Sequence, residues 1–305
     1  MLTPAATATR AREGLKRGFE PTWRYLFNFG PTMDHRRRPP VLRPAAARAL
    51  ADLNRDGLAV STLEELTGDP TLLGQLQDLA AALEAEQAEQ LAERRRAMAD
   101  GTFTGFKDFC VHLLGRHPTL APDSLPVRVG LHEQLKGIAD GYFGLRTSLA
   151  DANIWRNLRS DAEPRSSQLW HRDLHHDHYV LKMFVHLEDV EPGTGPFSYA
   201  KGTHGKGDRH VRAEGSKDAL TYRTLDEDLA RVVPRERWVE CTGPAGTVVL
   251  ADTIGYHRGG WARTEDRLVF QAFWTSKASR RDYQIRMPAG VDRARWAKDI
   301  VLAGG

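Results

Sequence analysis

From about residue 147 onward the chain is written as short runs of β-forming residues, separated by glycine and proline turns, with no helical stretch alternating between them. The runs fall at 152–158, 168–171, 179–187, 247–251 and 268–274, and the turn clusters at 191–196 and 242–246. A parallel sheet needs a crossover of a dozen or more residues, usually helical, between strands. This pattern therefore predicts an antiparallel barrel or jelly roll. Residues before this region read as mostly helical. Pro44 opens one helix that runs into the turn signal Asn54-Arg55-Asp56-Gly57, and a first or edge strand follows at 58–60. Leu72, Leu76, Leu79 and Leu83 recur at helical spacing and predict one helix reaching about Ala97. A further helix is expected at about 131–142. The fold class expected is α+β with a mainly β core, and one domain over 1–305: a helical layer (1–146), a β core (147–276) with a polar insertion (205–238), and a tail (277–305).

The alternation of one strand already separates two environments. Leu181, Met183, Val185 and Leu187 share one face and should be core; Lys182, Phe184 and His186 share the other and should point into the barrel. An ammonium there is costly without an anion, so Lys182 needs either a protein carboxylate or a bound co-substrate.

Two cysteines, Cys110 and Cys241, exclude a disulfide framework and a thiolate-rich metal site. Any metal must rest on histidine and carboxylate. Seven of the twelve histidines lie between His171 and His210, inside the strand-rich half. In Trp170-His171-Arg172-Asp173, the i and i+2 residues of an extended strand offer an imidazole and a carboxylate to one side. His257, 86 positions later, is the natural third ligand. Two histidines and one carboxylate on one face form the triad of non-haem Fe(II) oxygenases, which leaves three positions open. Arg267 stands ten residues beyond His257. Its fork-shaped cation suits the distal carboxylate of 2-oxoglutarate, whose other end chelates the metal. His175, Trp155 and Arg156 are expected to touch substrate, while His204 is read as structural. The sequence has no Gly-x-Ser-x-Gly elbow and no P-loop.

The stretches Gln168-Leu-Trp-His-Arg-Asp-Leu174, Leu181-Lys-Met-Phe-Val-His-Leu-Glu-Asp-Val190 and Gly195-Pro-Phe-Ser-Tyr-Ala-Lys-Gly-Thr-His204, followed by His257 and Arg267, resemble the phytanoyl-CoA dioxygenase family. The resemblance covers roughly 147–276. It implies a double-stranded β-helix of the cupin type with helices packed around it, Fe(II), and 2-oxoglutarate and O2 as co-substrates. Carried over residue by residue, it makes His171, Asp173 and His257 the metal ligands and Arg267 the 2-oxoglutarate anchor; Lys182 and Phe184, which alternation places on the barrel-facing side of their strand, are the further candidates for the co-substrate site. One departure stands out. Members often carry a small hydroxyl residue shortly after the distal histidine, where this chain has Arg258-Gly259-Gly260. The second partner of the co-substrate carboxylate is then left to Thr264 or to another strand, and Arg263 competes with Arg267 as its anchor.

The activity expected is hydroxylation, or another oxidation, of an unactivated C–H bond of a small molecule of secondary metabolism, with release of succinate and CO2. The carboxylate at Asp173 argues against halogenation, which needs that ligand position vacant. Rival readings are a Zn or Mn isomerase or hydrolase using the same residues, and a metal-stabilised binding protein without turnover. The formal charge is +3, with ten Lys/Arg in the first 48 residues, and reads as a solvated arm rather than a nucleic-acid surface. No apolar run approaches the ~20 residues of a membrane span and no apolar leader segment is evident, so a cytoplasmic protein is expected. Nothing in the sequence speaks to oligomeric state.

Overall fold

The computed structural model describes residues 19–302, apart from 103, 104, 106, 174–176, 215–222 and 280–284. Among these described residues, nine strands form two antiparallel sheets: β1 Leu58–Thr62, β2 Cys110–His112, β3 Ser148–Asn157, β4 Leu181–His186, β5 Phe197–Ala200, β6 Trp238–Cys241, β7 Thr247–Asp252, β8 His257–Gly259 and β9 Arg267–Thr275. The larger sheet has the order β1-β7-β4-β9-β3-β2 and the smaller β6-β5-β8. The segment before β4 joins the smaller sheet, because His171 and His257 exchange both backbone hydrogen bonds, at 2.9 and 3.0 Å. Helices and an antiparallel two-sheet jelly roll are thus the architecture, as the run-and-turn pattern requires.

Strand alternation sorts the larger sheet as the sequence does. Leu181, Met183 and Val185 of β4, with Phe270, Ala272 and Trp274 of β9, are fully buried on the outer face. Leu53, Leu76, Leu135 and Ile138 of the N-terminal helices belong to the same apolar cluster. The helical layer therefore covers one face of the sheet and frees the other to line a cavity. At about 25 cal/mol per Å² of apolar surface, each such buried aliphatic side chain stabilises the fold by about 1.5–3 kcal/mol.

The helix Pro44–Asp56 starts with proline in its first turn and stops at Gly57, whose φ of +76° is the left-handed cap that a side chain resists. β1 follows directly and forms the sheet edge, paired with β7. The leucine-striped helix differs from the single helix expected. It breaks at Gln87, giving Leu72–Glu86 and Ala88–Ala99. Gln87 leaves helical geometry (φ −109°, ψ 17°) and its side chain donates to the Leu113 carbonyl at 2.8 Å, a tertiary bond that periodicity does not reveal. The later helix runs Glu133–Phe143. β2, β6 and β8 are only three or four residues long, too short for pattern reading to separate from loops.

The described part of the 205–238 segment is not a free lid. Its helix Asp226–Ala230 is tied down by Trp170 Nε1 and Arg258 Nη1, both donating to Asp226 Oδ1 at 2.7 Å. Leu229 and Val233 pack with Trp170 and Tyr256.

Candidate metal centre

A cavity of about 590 Å³ opens between the two sheets, and the inner-facing residues of β2, β3, β4 and β9 form one wall. The opposite wall carries His171, His257 and Phe197. The antiparallel bridge between His171 and His257 sets their side chains on the same face, with ring centroids 4.1 Å apart. Asp173, two residues on, is held by its N–H donating to the Thr253 carbonyl at 2.8 Å. Donor atoms of His171, Asp173 and His257 all lie within 4.8 Å of one another, and His257 Nε2 stands 3.7 Å from Asp173 Oδ2.

The donor set fits a divalent metal. His171 Nδ1 faces the Leu169 carbonyl at 2.8 Å and His257 Nδ1 faces the Gly255 carbonyl at 2.9 Å. A carbonyl only accepts, so each Nδ1 carries the proton and each Nε2 keeps its lone pair for the centre, the usual outer-shell device for orienting a ligand. Burial pushes both imidazoles toward the neutral form: His171 well below its ordinary range, and His257 down to about 4. Arg172, between the two strand ligands, points the opposite way. Its buried guanidinium donates to the carbonyls of Ile254, Val211, Thr203 and Arg209 at 2.5–3.0 Å, which pins the ligand-bearing segment to the loops after β5 and β7.

Lys182 Nζ donates to Asp173 Oδ2 at 2.7 Å, so of the two anions the sequence allows, the structure supplies the protein carboxylate. Phe184 lines the cavity and packs on Phe197 at 4.9 Å. Further along β9, Arg267 is buried in the same cavity. Its Nη1 donates to the Gly195 carbonyl, its Nε has no hydrogen-bond partner, and no carboxylate pairs with it among the described residues. Burial lowers its pKa to about 10. Arg263, its sequence rival, is exposed and lies over Trp261 instead.

Of the two glycines after His257, only Gly260 has a steric cause, since a Cβ on Gly259 would meet nothing nearer than the Ser167 carbonyl oxygen at 3.7 Å. A Cβ on Gly260 would stand 2.3 Å from the Pro196 carbonyl oxygen, and one on Gly195, at φ +74°, would stand 2.6 Å from Ala262 N. These turns cross too closely for a side chain at position 260. Thr264 packs on the Gly193 turn, outside the cavity lining. Asn157 faces the cavity instead. It is directly opposite Arg267 in the β3–β9 register, 8% exposed, and its Nδ2 lacks a partner. His186 Nδ1 is likewise unpartnered in the same lining, with burial lowering its pKa to about 4.

Of the residues expected to meet substrate, Trp155 is in the cavity wall, stacked on His112 at 4.9 Å. His175 lies outside the described residues. Arg156 is a correction: it alternates away from the cavity and is bound by Glu84 at 2.7 and 2.8 Å and Glu188 at 2.6 and 2.9 Å. Strand parity already opposed Trp155 to Arg156, so one of the two had to face away. His204 is fully buried against the Asn54 carbonyl, outside the cavity lining. Sequence reading passed over Asn157, His112, Arg116 and Arg223. The alternation Cys110-Val111-His112 was the available signal for His112; Arg116 and Arg223 sit in loops, where no period applies.

A family model described as phytanoyl-CoA dioxygenase matches residues 73–269. The chain belongs to the phytanoyl-CoA dioxygenase family. As a family member it is an Fe(II)/2-oxoglutarate-dependent oxygenase, with O2 as the other co-substrate, and the triad supplies donors that suit the metal. Among solved structures, EctD from S. alaskensis with bound Fe is similar over 81% of this chain and 83% of its own, at 20% identity and TM-score 0.53. The carbocyclase SnoK from nogalamycin biosynthesis is similar over 87% and 97%, at 17% identity and TM-score 0.51. EctD with 2-oxoglutarate and 5-hydroxyectoine covers 82% and 91%, at 19% identity and TM-score 0.50. At these identities the likeness shows the shared fold. A search of curated proteins gives no match. No helix among the described residues is long and apolar enough to cross a membrane.

Proposed function

We propose that this oxygenase hydroxylates an unactivated C–H bond of a small molecule, converting 2-oxoglutarate and O2 to succinate and CO2 and placing one oxygen atom in the product alcohol. The observation that carries this reading is Arg267, a buried guanidinium with no carboxylate partner among the described residues, in the same cavity as the His171–Asp173–His257 triad. Burying an unpaired cation costs several kcal/mol, and a fold keeps one where a ligand brings the missing anion.

In this reading His171, Asp173 and His257 hold the iron, which when bound supplies O2 activation. Arg267 holds the distal carboxylate of 2-oxoglutarate as a two-pronged donor. Asn157 Nδ2 gives that carboxylate its second partner, in place of the missing hydroxyl. Phe184 and Phe197 wall the space between, excluding water from the reacting centre. Asp173 fills the ligand position that a halide would need, which favours hydroxylation. The solved EctD complex with 5-hydroxyectoine supports a hydroxylated small-molecule product in this fold, whereas SnoK is described as a carbocyclase, so substrate placement decides the outcome. We further infer one domain over 1–305, supported by the apolar cluster that helices and larger sheet share.

Anaerobic titration with Fe(II) and 2-oxoglutarate tests the reading. Joint chelation gives a weak visible charge-transfer band, and admission of oxygen then gives succinate. Absence of both overturns it and returns the field to a Zn or Mn enzyme or a binding protein.

A further inference from the structure

The two histidine ligands rest on little local structure. β8 is three residues long, and His171 meets it through one isolated bridge, the pair of backbone hydrogen bonds exchanged with His257. A bridge that short is free to splay, yet a metal centre demands its donors within about 0.5 Å of the productive geometry.

The residues beside the ligands supply a restraint from the opposite face. By alternation, Trp170 and Arg258 point away from the cavity, and neither lines it. The antiparallel register of the bridge sets them directly opposite each other, one residue back from His171 and one on from His257. A pair flanking one that exchanges hydrogen bonds is the closely spaced kind, with Cα atoms about 4.5 Å apart. Here Arg258 Cζ lies 4.6 Å from the Trp170 ring centroid. Both side chains then donate to one atom, with Trp170 Nε1 and Arg258 Nη1 each 2.7 Å from Asp226 Oδ1. A single carboxylate oxygen thus ties the segment of one histidine to the segment of the other, on the side away from the cavity.

Asp226 is itself firmly held. Just before it, Thr224 N–H donates to the Trp170 carbonyl at 3.0 Å and bridges the other edge of the ligand-bearing segment. Trp238 of β6 packs 5.0 Å from Trp170, and its Nε1 donates to the Val233 carbonyl at 3.1 Å, closing the far end of the helix Asp226–Ala230 onto the same cluster. Asp228, on the same helix, pairs with Arg231 at 2.6 Å instead.

We infer that Asp226 is a positioning residue for the metal centre, setting the spacing of His171 and His257 through Trp170 and Arg258, and that the 205–238 segment is in this part a brace behind the site. The inference rests on the triad holding a metal. Bridge and charge can be told apart. Asparagine at 226 keeps the acceptor oxygen and drops the charge. Removing the Arg258 cation would tighten a metal ion's binding if charge alone mattered, and weaken it if the brace does.

Co(II) titration of the metal-free protein, followed by its visible d–d bands, tests this. Loss of an outer-shell partner costs about 10- to 100-fold in metal affinity, so Asp226→Ala should raise the Co(II) Kd at least about tenfold and alter the spectrum. Asp226→Asn should stay close to wild type. Asp228→Ala removes the same charge from the same helix without touching the bridge, and should change neither affinity nor spectrum. Arg258→Met should weaken Co(II) binding, and the double variant with Asp226→Ala should be no weaker than the worse single one, the mark of residues acting as one unit. Coupling is reciprocal, so Co(II) should slow amide exchange over 225–233 in wild type and far less in Asp226→Ala. Unchanged Co(II) affinity in Asp226→Ala overturns the proposal, as does equal loss in Asp226→Ala and Asp226→Asn. Should Asp226→Ala fail to fold, Arg258→Met decides alone: tighter or unchanged binding overturns the proposal. Failure of the metal reading is seen separately, as a wild-type protein that takes up no Co(II), and overturns both.

Discussion

Replacing Arg267 by methionine should move ligand affinity and stability in opposite directions. Methionine roughly keeps the side-chain volume, so the cavity term that accompanies truncation to alanine is small. What is removed is a buried charge. A guanidinium whose pKa is about 10 rather than its ordinary value above 12 carries about 3 kcal/mol against its charged form. Its hydrogen bond to the Gly195 carbonyl offsets part of this. Metal-free Arg267→Met should therefore be as stable as wild type or more stable by about 1–2 kcal/mol, an upward Tm shift of a few degrees. Ligand binding should go the other way. Loss of a buried, charge-assisted pair costs about 2–4 kcal/mol, a rise in the 2-oxoglutarate Kd of roughly 30- to 1,000-fold. Wild type at 100 times its Kd should gain about 2.7 kcal/mol from 2-oxoglutarate and the variant, at the same concentration, less than about 1 kcal/mol. Thermal melts of the metal-loaded anaerobic protein, with and without 2-oxoglutarate, read both signs in one experiment. A variant that melts several degrees lower in the metal-free form and keeps its 2-oxoglutarate shift would refute the argument and make Arg267 a structural residue.

Asn157→Leu should raise the 2-oxoglutarate Kd by about 10- to 150-fold, one hydrogen bond to a charged group, while leaving the metal affinity unchanged; the charge-transfer titration checks it. Arg156→Met should leave 2-oxoglutarate binding alone and lower stability by about 2–3 kcal/mol, because Glu84 and Glu188 lose their shared partner but are themselves partly exposed. Urea denaturation measures this, and a binding defect at unchanged stability would restore Arg156 to the substrate site. His112 and His186 have folded pKa values near 4, below the ordinary value of about 6.5, so the unfolded chain takes up protons first as pH falls. Stability should decline from about pH 6.5 to pH 4, and the decline should be shallower in His112→Asn/His186→Gln; equal slopes in the two proteins would contradict the assignment.

Much of the site is local in origin and so could be read from residues in a row. The i, i+2 pairing of His171 with Asp173, and the division of Leu181–His186 into an aliphatic and a polar face, follow from strand geometry alone. Helix ends marked by Pro44 and Gly57 were legible for the same reason. The break at Gln87 was not, since the bond to the Leu113 carbonyl that holds it comes from a distant segment. Nor could sequence choose between a protein carboxylate and a co-substrate for Lys182, because that depends on which group lies 2.7 Å from its ammonium.

What the sequence by itself determined, then, is the antiparallel architecture, the donor types available to a metal, and the family, since each rests on periodicity or on an ordered motif. The tertiary structure alone decided which charges stay uncompensated. It paired Arg156 with Glu84 and Glu188 on the covered side of the sheet. It left Arg267 and Asn157 facing each other across β9 and β3. Electrostatic energy depends on distance and burial between groups far apart in the chain, and neither quantity exists until the sheets have closed on each other.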